Sequence, residues 1–595
     1  MPAVNDLSKQ QEDVVDLPAE PFVVSACAGS GKTKTAVHRI AAMRSRLTDV
    51  TGSVLLLSFS NVAVETFQRE YGALVSQGSR TARPTVEIDT VDGFLTKNLL
   101  RPHGHLVMGC DRCPFLVEGH EPFLKSFTIW DGAKPAKTSE LRVTLDGGKF
   151  SFRVGKWAGI AVDPTEAKAG LKKLAVVGAY THESGRYWAY RLLREAPFLL
   201  RAIARRYPHI LIDEAQDIGS VHQAILELIA SAGTKLSMIG DVNQGIFEFT
   251  GATGEFLGDY HKRPGVLARP LETNFRSVPS IVAIANTFSG RKDGPDRVEP
   301  DCLSGAFYIT IDDDQRDQAL KRYRSLLGAA EIPASQAAVI FRSTQAFNTW
   351  SGPGEPQGQG VVKAFGASAI WRDKARNFNH AYVSACAGIV GLLDNNHGDL
   401  LAKIRSQAAD ETMRSIRREI WNFVKDPVAG LPSANLKAAT QWHPLLVTRV
   451  KDLVVRLEKL FSLKPGENLG QKLAKKALSD LPLWQGVNPD PSQSLKFRMS
   501  TVHKVKGESI DGVMYVTSKS NIEEMLAGTQ TENGKIGYVA LTRARNLFVL
   551  GVPAKAIAEL EPLLKASGFL SADAHCPIVP EKQPLAELKD EDGGA

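Results

Sequence analysis

The segment from Phe22 to Met43 constrains this chain most. Phe22-Val23-Val24 is a short apolar run that reads as a buried strand. It leads into the turn Ala26-Cys-Ala-Gly-Ser-Gly-Lys-Thr33, and apolar residues then fall at helical spacing: Ala36, Val37, Ile40, Ala41 and Met43. Strand, glycine-rich turn and helix is the context of a phosphate-binding loop. Gly29 and Gly31 let the backbone curl so that successive N–H groups across Ala28, Gly29, Ser30 and Gly31 face one point. The helix that follows adds the positive end of its dipole, so an anion is favoured there. Lys32 is placed to reach the β- and γ-phosphates of a nucleotide, and the Thr33 hydroxyl to hold Mg²⁺. The first glycine of the general pattern is Ala26 here. A plain Gly/Ser turn beside a surface lysine is the competing reading, disfavoured by the flanking strand and helix. The loop specifies a nucleotide, not a reaction.

A second apolar run, His209-Ile-Leu-Ile212, ends in Asp213-Glu-Ala-Gln-Asp217. Adjacent side chains at a strand end point in different directions, so two carboxylates there can serve two tasks. Asp213 can bind the Mg²⁺ that bridges phosphates, and Glu214 can orient or deprotonate the attacking water. A polar strand end or helix cap explains one aspartate easily and this whole set poorly. A third run, Lys235 to Ile239, ends in Gly240-Asp-Val-Asn-Gln-Gly-Ile-Phe-Glu-Phe-Thr250. Gln244 can contact the γ-phosphate or its water. Phe247 and Phe249 suit either a core or a stacking platform, and spacing does not decide between them.

At 595 residues the chain is too long for one core, so several domains are expected. Apolar residues make up 43% and charged residues 23%, an ordinary globular balance. The net charge of +7 fits a phosphate-backbone partner, although over this length the excess is mild. The longest apolar stretch, Ala381 to Leu393, is broken by Ser384 and Gly388 and is too short to span a bilayer. Acidic residues stand near the N-terminus where a signal peptide carries positive charge, so a cytoplasmic location is expected. Six cysteines make no disulfide framework. Cys110 and Cys113 form a C-x-x-C near His103, His105 and His120. Zinc needs about four such ligands. Two free thiols in a loop is the favoured reading.

Taken in order, these blocks resemble the UvrD/Rep/PcrA group of superfamily 1A DNA helicases, which commonly writes its loop A-x-A-G-S-G-K-T. The resemblance implies that Gln11 reads the adenine edge. Further blocks follow in family order. Ser58-Phe-Ser-Asn61 resembles the family's T-F-T-N block, which implies that Phe59 and Asn61 touch single-stranded DNA. Thr90-Val-Asp-Gly-Phe94 is a weaker match to the next DNA-contacting block. Leu271-Glu-Thr-Asn-Phe-Arg-Ser277 implies Phe275 against adenine and Arg276 on the γ-phosphate. Thr501-Val-His-Lys-Val-Lys-Gly-Glu508 implies a DNA contact at His503 and a ribose contact at Glu508. Tyr538-Val-Ala-Leu-Thr-Arg-Ala544 supplies Arg543 as the second arginine on the transferring phosphate. Two planar cations suit the negative charge that spreads over the γ-phosphate oxygens during hydrolysis. Phe249 stands for the family's tryptophan on the DNA.

The departures mark a divergent branch. Thr250 replaces an arginine, Glu508 sits one position early, Asp92 replaces a histidine, and Val62 replaces a lysine. The resemblance implies an α/β fold: two RecA-like P-loop domains with ATP·Mg²⁺ between them, and two inserted subdomains. The first RecA-like domain takes residues 1–100 and 196–273, the second 274–345 and 495–555. Residues 101–195 form subdomain 1B, of mixed α/β type, where Leu141 to Val154 alternates around an Asp-Gly-Gly turn and predicts a β-hairpin. Around it lie Arg142, Lys149, Arg153, Lys156, Lys168, Lys172 and Lys173, either a solvated basic face or a nucleic-acid path. Residues 346–494 form a mainly helical 2B, with Met413, Ile416, Ile420 and Phe423 on one face and Val447, Val450, Val454, Leu457 and Phe461 on another. There Trp371, Arg372, Lys374 and Arg376 suit nucleic acid or a helix surface equally. Residues 556–595 are expected to be a mobile, acid-leaning tail, with no room for a nuclease. The expected function is an ATP-dependent helicase moving 3′ to 5′ on single-stranded DNA and acting at ss/ds junctions. The alternative is a DNA-sensing ATPase subunit that activates a separate nuclease partner in antiviral defence.

Overall fold

The computed structural model describes residues 7–46, 52–75, 85–119, 121–155, 159–247, 251–312, 316–351, 357–374, 376–394, 400, 404, 411–483, 497–573 and 575. Two compact units emerge, residues 1–272 with 343–494, and residues 273–342 with 495–595.

In the first unit the main sheet and a hairpin are built, in chain order, from β1 (Phe22–Ala26), β2 (Ser53–Ser58), β3 (Thr85–Thr90), β4 (Leu141–Asp146), β5 (Lys149–Val154), β6 (Ile160–Val162), β7 (His209–Ile212), β8 (Lys235–Gly240) and β9 (Leu267–Leu271). The sheet order is β9-β1-β8-β7-β2-β3, with every neighbour parallel. Strands such as Val54-Leu-Leu-Leu57 read as unbroken apolar runs because both faces are covered. Alternate residues go to different cores. Val24, Leu56, Leu211 and Ile239 pack on one side with Val37 and Ile40 of α2 (Lys32–Arg46). Val23, Leu57, Ile212 and Met238 pack on the other, with Phe94 and Ile225.

The other helices that bear on the site are α1 (Lys9–Val15), α3 (Asn61–Val75), α4 (Val91–Leu95), α5 (Pro164–Val176), α6 (His182–Glu195), α7 (Pro197–Arg206) and α8 (Ser220–Ser231). The expected hairpin forms: β4 and β5 pair antiparallel from Leu141↔Val154 to Asp146↔Lys149, turning at Gly147 and Gly148, both at positive φ. The structure adds β6 as a third strand. Leu141, Val143, Phe152 and Val154 point inward, while Arg142 and Arg153 sit directly opposite each other on the outer face. Lys168, Lys172 and Lys173 belong to α5; Lys156 lies outside the described residues. The Cys113 thiol bonds to the Arg101 carbonyl (3.3 Å), and the Cys110 thiol to that of Arg112 (3.3 Å). Among the described residues no group of three or more His, Cys, Asp or Glu could hold a metal, and His120 lies outside them.

Helices Gly360–Asp373, Phe378–Val390, Glu411–Lys425 and His443–Phe461 enclose their own core, with Ile416, Ile420, Phe423, Trp442, Val450 and Leu457 inside. Here the structure corrects one expectation. Arg372 is not a surface cation: it is buried, paired with Asp373, and donates to the carbonyls of Val424 (2.9 Å) and Leu431 (2.6 Å). A buried guanidinium must be satisfied in this way, which leaves it nothing for nucleic acid. Trp371 stacks near His380 at 4.9 Å between ring centroids.

The second unit is a second parallel sheet of β10 (Gly305–Ile311), β11 (Ala337–Phe341), β12 (Arg498–Thr501), β13 (Ile510–Val516), β14 (Ala544–Pro553) and β15 (Leu570–Ser571), in the order β12-β11-β13-β14-β10-β15. Part of the stretch expected to be tail from residue 556 is folded. The helix Ile557–Ala566 buries Leu560 and Leu564, and β15 pairs with β10 at Phe307↔Leu570. Apolar residues at helical spacing in that stretch carry the signal for it. Among the described residues no helix is long and apolar enough to cross a membrane.

Candidate functional site

Because the strands of the first sheet are parallel, β1, β2, β7 and β8 all end on one edge, where ligands of such sheets bind. The glycine loop leaves β1 there. Gly29 and Gly31 have φ of +73° and +78°, conformations that side chains resist. Ser30 Oγ donates to the Cys27 carbonyl (2.9 Å), and Lys32 Nζ rests on the same carbonyl at 3.3 Å. Ala28, Ser30 and Lys32 are buried and Thr33 is half-buried at the start of α2. Gln11 braces the loop from the side. Its Nε2 donates to the Ser30 carbonyl (3.0 Å), while its Oε1 accepts from the Ser8 N–H (3.0 Å) as part of a capping box on α1.

Two strands away, β7 delivers the carboxylates. Asp213 is buried, and its Oδ1 has no hydrogen-bond partner among the described residues. Burial, then the charge of Glu214, pushes its pKa up to about 8 against the pull of Lys32. An orphaned, desolvated carboxyl oxygen within reach of a lysine's charge suits a divalent cation that arrives with phosphate. Glu214 holds a left-handed backbone with φ of +55°, a strain that persists where surroundings enforce it. The Gln216 amide grips its carboxylate, and the Gln216 oxygen accepts from the Asp241 N–H (3.1 Å). Asp241 in turn holds Gln244, whose Nε2 donates to Asp241 Oδ2 at 2.7 Å. Gln216 and Asp241 stand within their sequence blocks with no role legible there. Only the fold shows that they lock Glu214 and Gln244.

Phe59, just past β2, is half-buried, and Asn61 is exposed at the start of α3. Phe247 is half-buried, while Phe249 and Thr250 lie outside the described residues.

The second unit gathers its own predicted residues. Asn274 Oδ1 accepts from the backbone N–H groups of Arg276 (2.8 Å) and Ser277 (2.9 Å), which fixes the turn after Phe275. Arg276 donates to Ser509 Oγ (2.7 Å) and the Thr542 carbonyl (2.9 Å). Arg543, buried, donates to the carbonyls of Val539 (3.1 Å) and Glu508 (3.2 Å). Thr542 thus links the two arginines. Phe275 and His503 are half-buried. Glu508 is engaged: Arg498 grips both its oxygens, one at 2.7 Å, a partner that the sequence did not reveal.

Known proteins match part of this chain. The family described as UvrD/REP helicase N-terminal domain matches residues 7–143 and 179–264. Over those residues the chain is similar to the UvrD/REP helicases. The UvrD-like segment is 26% identical over 314 residues to DNA helicase II of Salmonella typhimurium, covering 49% of this chain and 41% of that one. It is 24% identical over 381 residues to ATP-dependent DNA helicase UvrD1 of Mycobacterium tuberculosis, covering 57% and 47%. UvrD2 of the same organism is 25% identical over 378 residues, covering 57% and 52%. The chain therefore spans about half the length of these relatives.

Proposed function

We propose that this chain is an ATP-driven motor that moves 3′ to 5′ on single-stranded DNA and separates strands at ss/ds junctions. The observation that carries this reading is the shared edge of the first sheet. It presents a phosphate cradle, an orphaned carboxylate, a strained and gripped glutamate and a half-buried aromatic together.

Lys32 and the N–H groups of the loop hold the phosphates. Asp213 and Thr33 would hold Mg²⁺, which would supply positive charge to offset that of the phosphates. Glu214, fixed by Gln216, orients and deprotonates the attacking water, and Gln244 senses the γ-phosphate. Arg276 and Arg543 stabilise the charge that develops on the transferring phosphate, the role that planar cations perform best. Gln11 and Phe275 take the adenine. Phe59, Asn61, Phe249 and His503 take the DNA strand by stacking and polar contact. Glu508 can accept a ribose hydroxyl on the lone pairs that Arg498 leaves free. The second reading is a DNA-sensing ATPase that licenses a partner nuclease.

The test is steady-state ATP hydrolysis with and without oligo-dT or oligo-U. Strong stimulation by DNA and loss of turnover in Lys32→Ala and Glu214→Gln, the latter still binding ATP, are expected. No stimulation by either polymer would sink the autonomous motor and leave the partner-dependent reading. Normal turnover by either variant would sink the site assignment.

A further inference from the structure

Asp92 stands where the resemblance implies a DNA-contacting histidine, and the structure gives it other work. It lies at the start of α4, just beyond β3, and is largely buried. Arg186 of α6 clamps both its oxygens: Nε donates to Oδ1 at 2.9 Å and Nη2 to Oδ2 at 2.7 Å. His222 of α8 places Nε2 2.9 Å from Oδ1. The other titratable neighbours among the described residues are Glu183, which accepts from Arg186 Nη1 at 2.8 Å, and His182, whose Nδ1 is 3.5 Å from Oδ2.

Burial alone drives the Asp92 pKa up, but the bonds from Arg186 and His222 outweigh it and hold the carboxyl well below its usual range. Asp92 is therefore ionised and can only accept. His222 must donate from Nε2, which fixes its tautomer and ring plane. Burial and then Arg186 lower the His222 pKa, so the ring stays neutral.

That fixed ring meets Phe59. The two ring centroids are 5.7 Å apart at 74°, an edge-to-face contact. Phe59 packs against the core on this side and is only half-buried. A stacking side chain works when its plane is held before the ligand arrives. We propose that Asp92, Arg186 and His222 form a positioning array that fixes the Phe59 ring for stacking on a nucleic-acid base. Asp92 and Arg186 are positioning residues and act through His222. The proposal rests on the reading of Phe59 as a DNA contact.

The test is a double-mutant cycle on the full chain, read as the dissociation constant of fluorescently labelled oligo-dT. Phe59→Ala and Asp92→Ala are each expected to weaken binding about 5- to 20-fold. In the double variant, Asp92→Ala is expected to add less than twofold, because the ring that it positions is gone. Asp92→Asn, which keeps the shape and loses the charge, is expected to fall between wild type and Asp92→Ala. His222→Gln, measured beside its melting temperature, replaces Asp92→Ala in the cycle should that variant not fold. Effects of Phe59 and Asp92 that simply multiply would overturn the positioning role and leave the DNA reading intact. Unchanged binding by Phe59→Ala would overturn both.

Discussion

Replacing Asp213 with asparagine should stabilise the nucleotide-free protein, and increasingly so as pH rises. Asp213 is buried, one oxygen lacks a partner, and its pKa is pushed up to about 8 by burial and by Glu214. The folded protein thus keeps this proton across roughly pH 4 to 8, where the unfolded chain releases it. A carboxyl with a raised folded pKa contributes stability at low pH that is lost as pH climbs towards the folded value. Each pKa unit is worth about 1.4 kcal/mol, so a shift from near 4 to near 8 caps the loss at roughly 4 kcal/mol by pH 7. Relaxation of the buried site around the charge reduces the figure to about 2–4 kcal/mol, or on the order of 5–15 °C in melting. The substituted amide has no proton to lose. Differential scanning fluorimetry of Asp213→Asn and wild type should show melting temperatures that agree near pH 4 and separate towards pH 8, with the variant higher. Added ATP and Mg²⁺ should stabilise wild type more than the variant. A difference that stays flat with pH, or a variant that melts lower at pH 8, would refute the reasoning.

Two further substitutions test how the loop is held. Arg39 is buried and donates to the carbonyls of Val15 (3.1 Å), Leu17 and Pro18 (2.6 Å), tying down the chain between α1 and β1; Arg39→Met should cost about 2–4 kcal/mol in urea unfolding, and a loss under about 0.5 kcal/mol would contradict the role. Gly31 has φ of +78°, and a Cβ there would lie 2.6 Å from Gln11 Nε2; Gly31→Ala should weaken binding of a fluorescent ATP analogue at least tenfold, from roughly 1–2 kcal/mol of backbone strain and the displaced glutamine, whereas unchanged affinity would mean that the loop relaxes freely.

The parts that were legible in the sequence are those written in adjacent residues. The glycine loop, the apolar strands before the carboxylates and the alternation of Leu141 to Val154 each carry their periodicity or turn chemistry locally. Partnerships between distant residues were not legible. Gln216 looks like filler between two carboxylates until the fold places its amide on Glu214 and its oxygen on the Asp241 N–H. Arg372 looks like a surface cation because its neighbours Lys374 and Arg376 are charged, yet helix geometry turns it inward to the carbonyls of Val424 and Leu431, far along the chain. Asp92 reads as a lost histidine, because the residues that engage it, Arg186 and His222, come from separate helices. Glu508 reads as displaced from its family position, and only the structure supplies Arg498 as its partner.

The order of strands in the second sheet bears on how the protein is made. β10 and β11 leave the ribosome long before their partners. Among the described residues β10 pairs with β14 and β15, and β11 with β12 and β13, all of which follow residue 497. At ordinary synthesis rates the interval between β11 and β12 lasts roughly 8–30 s. During that time the runs Ala306-Phe-Tyr-Ile309 and Ala337-Ala-Val-Ile-Phe341 have no strand to pair with and little to bury them. Such apolar, β-prone segments invite pairing with other chains. The helical residues in between pack into a core of their own in the folded protein, and their synthesis prolongs this exposure. A nascent chain of this design depends on holding β10 and β11 apart from other chains until the far strands arrive.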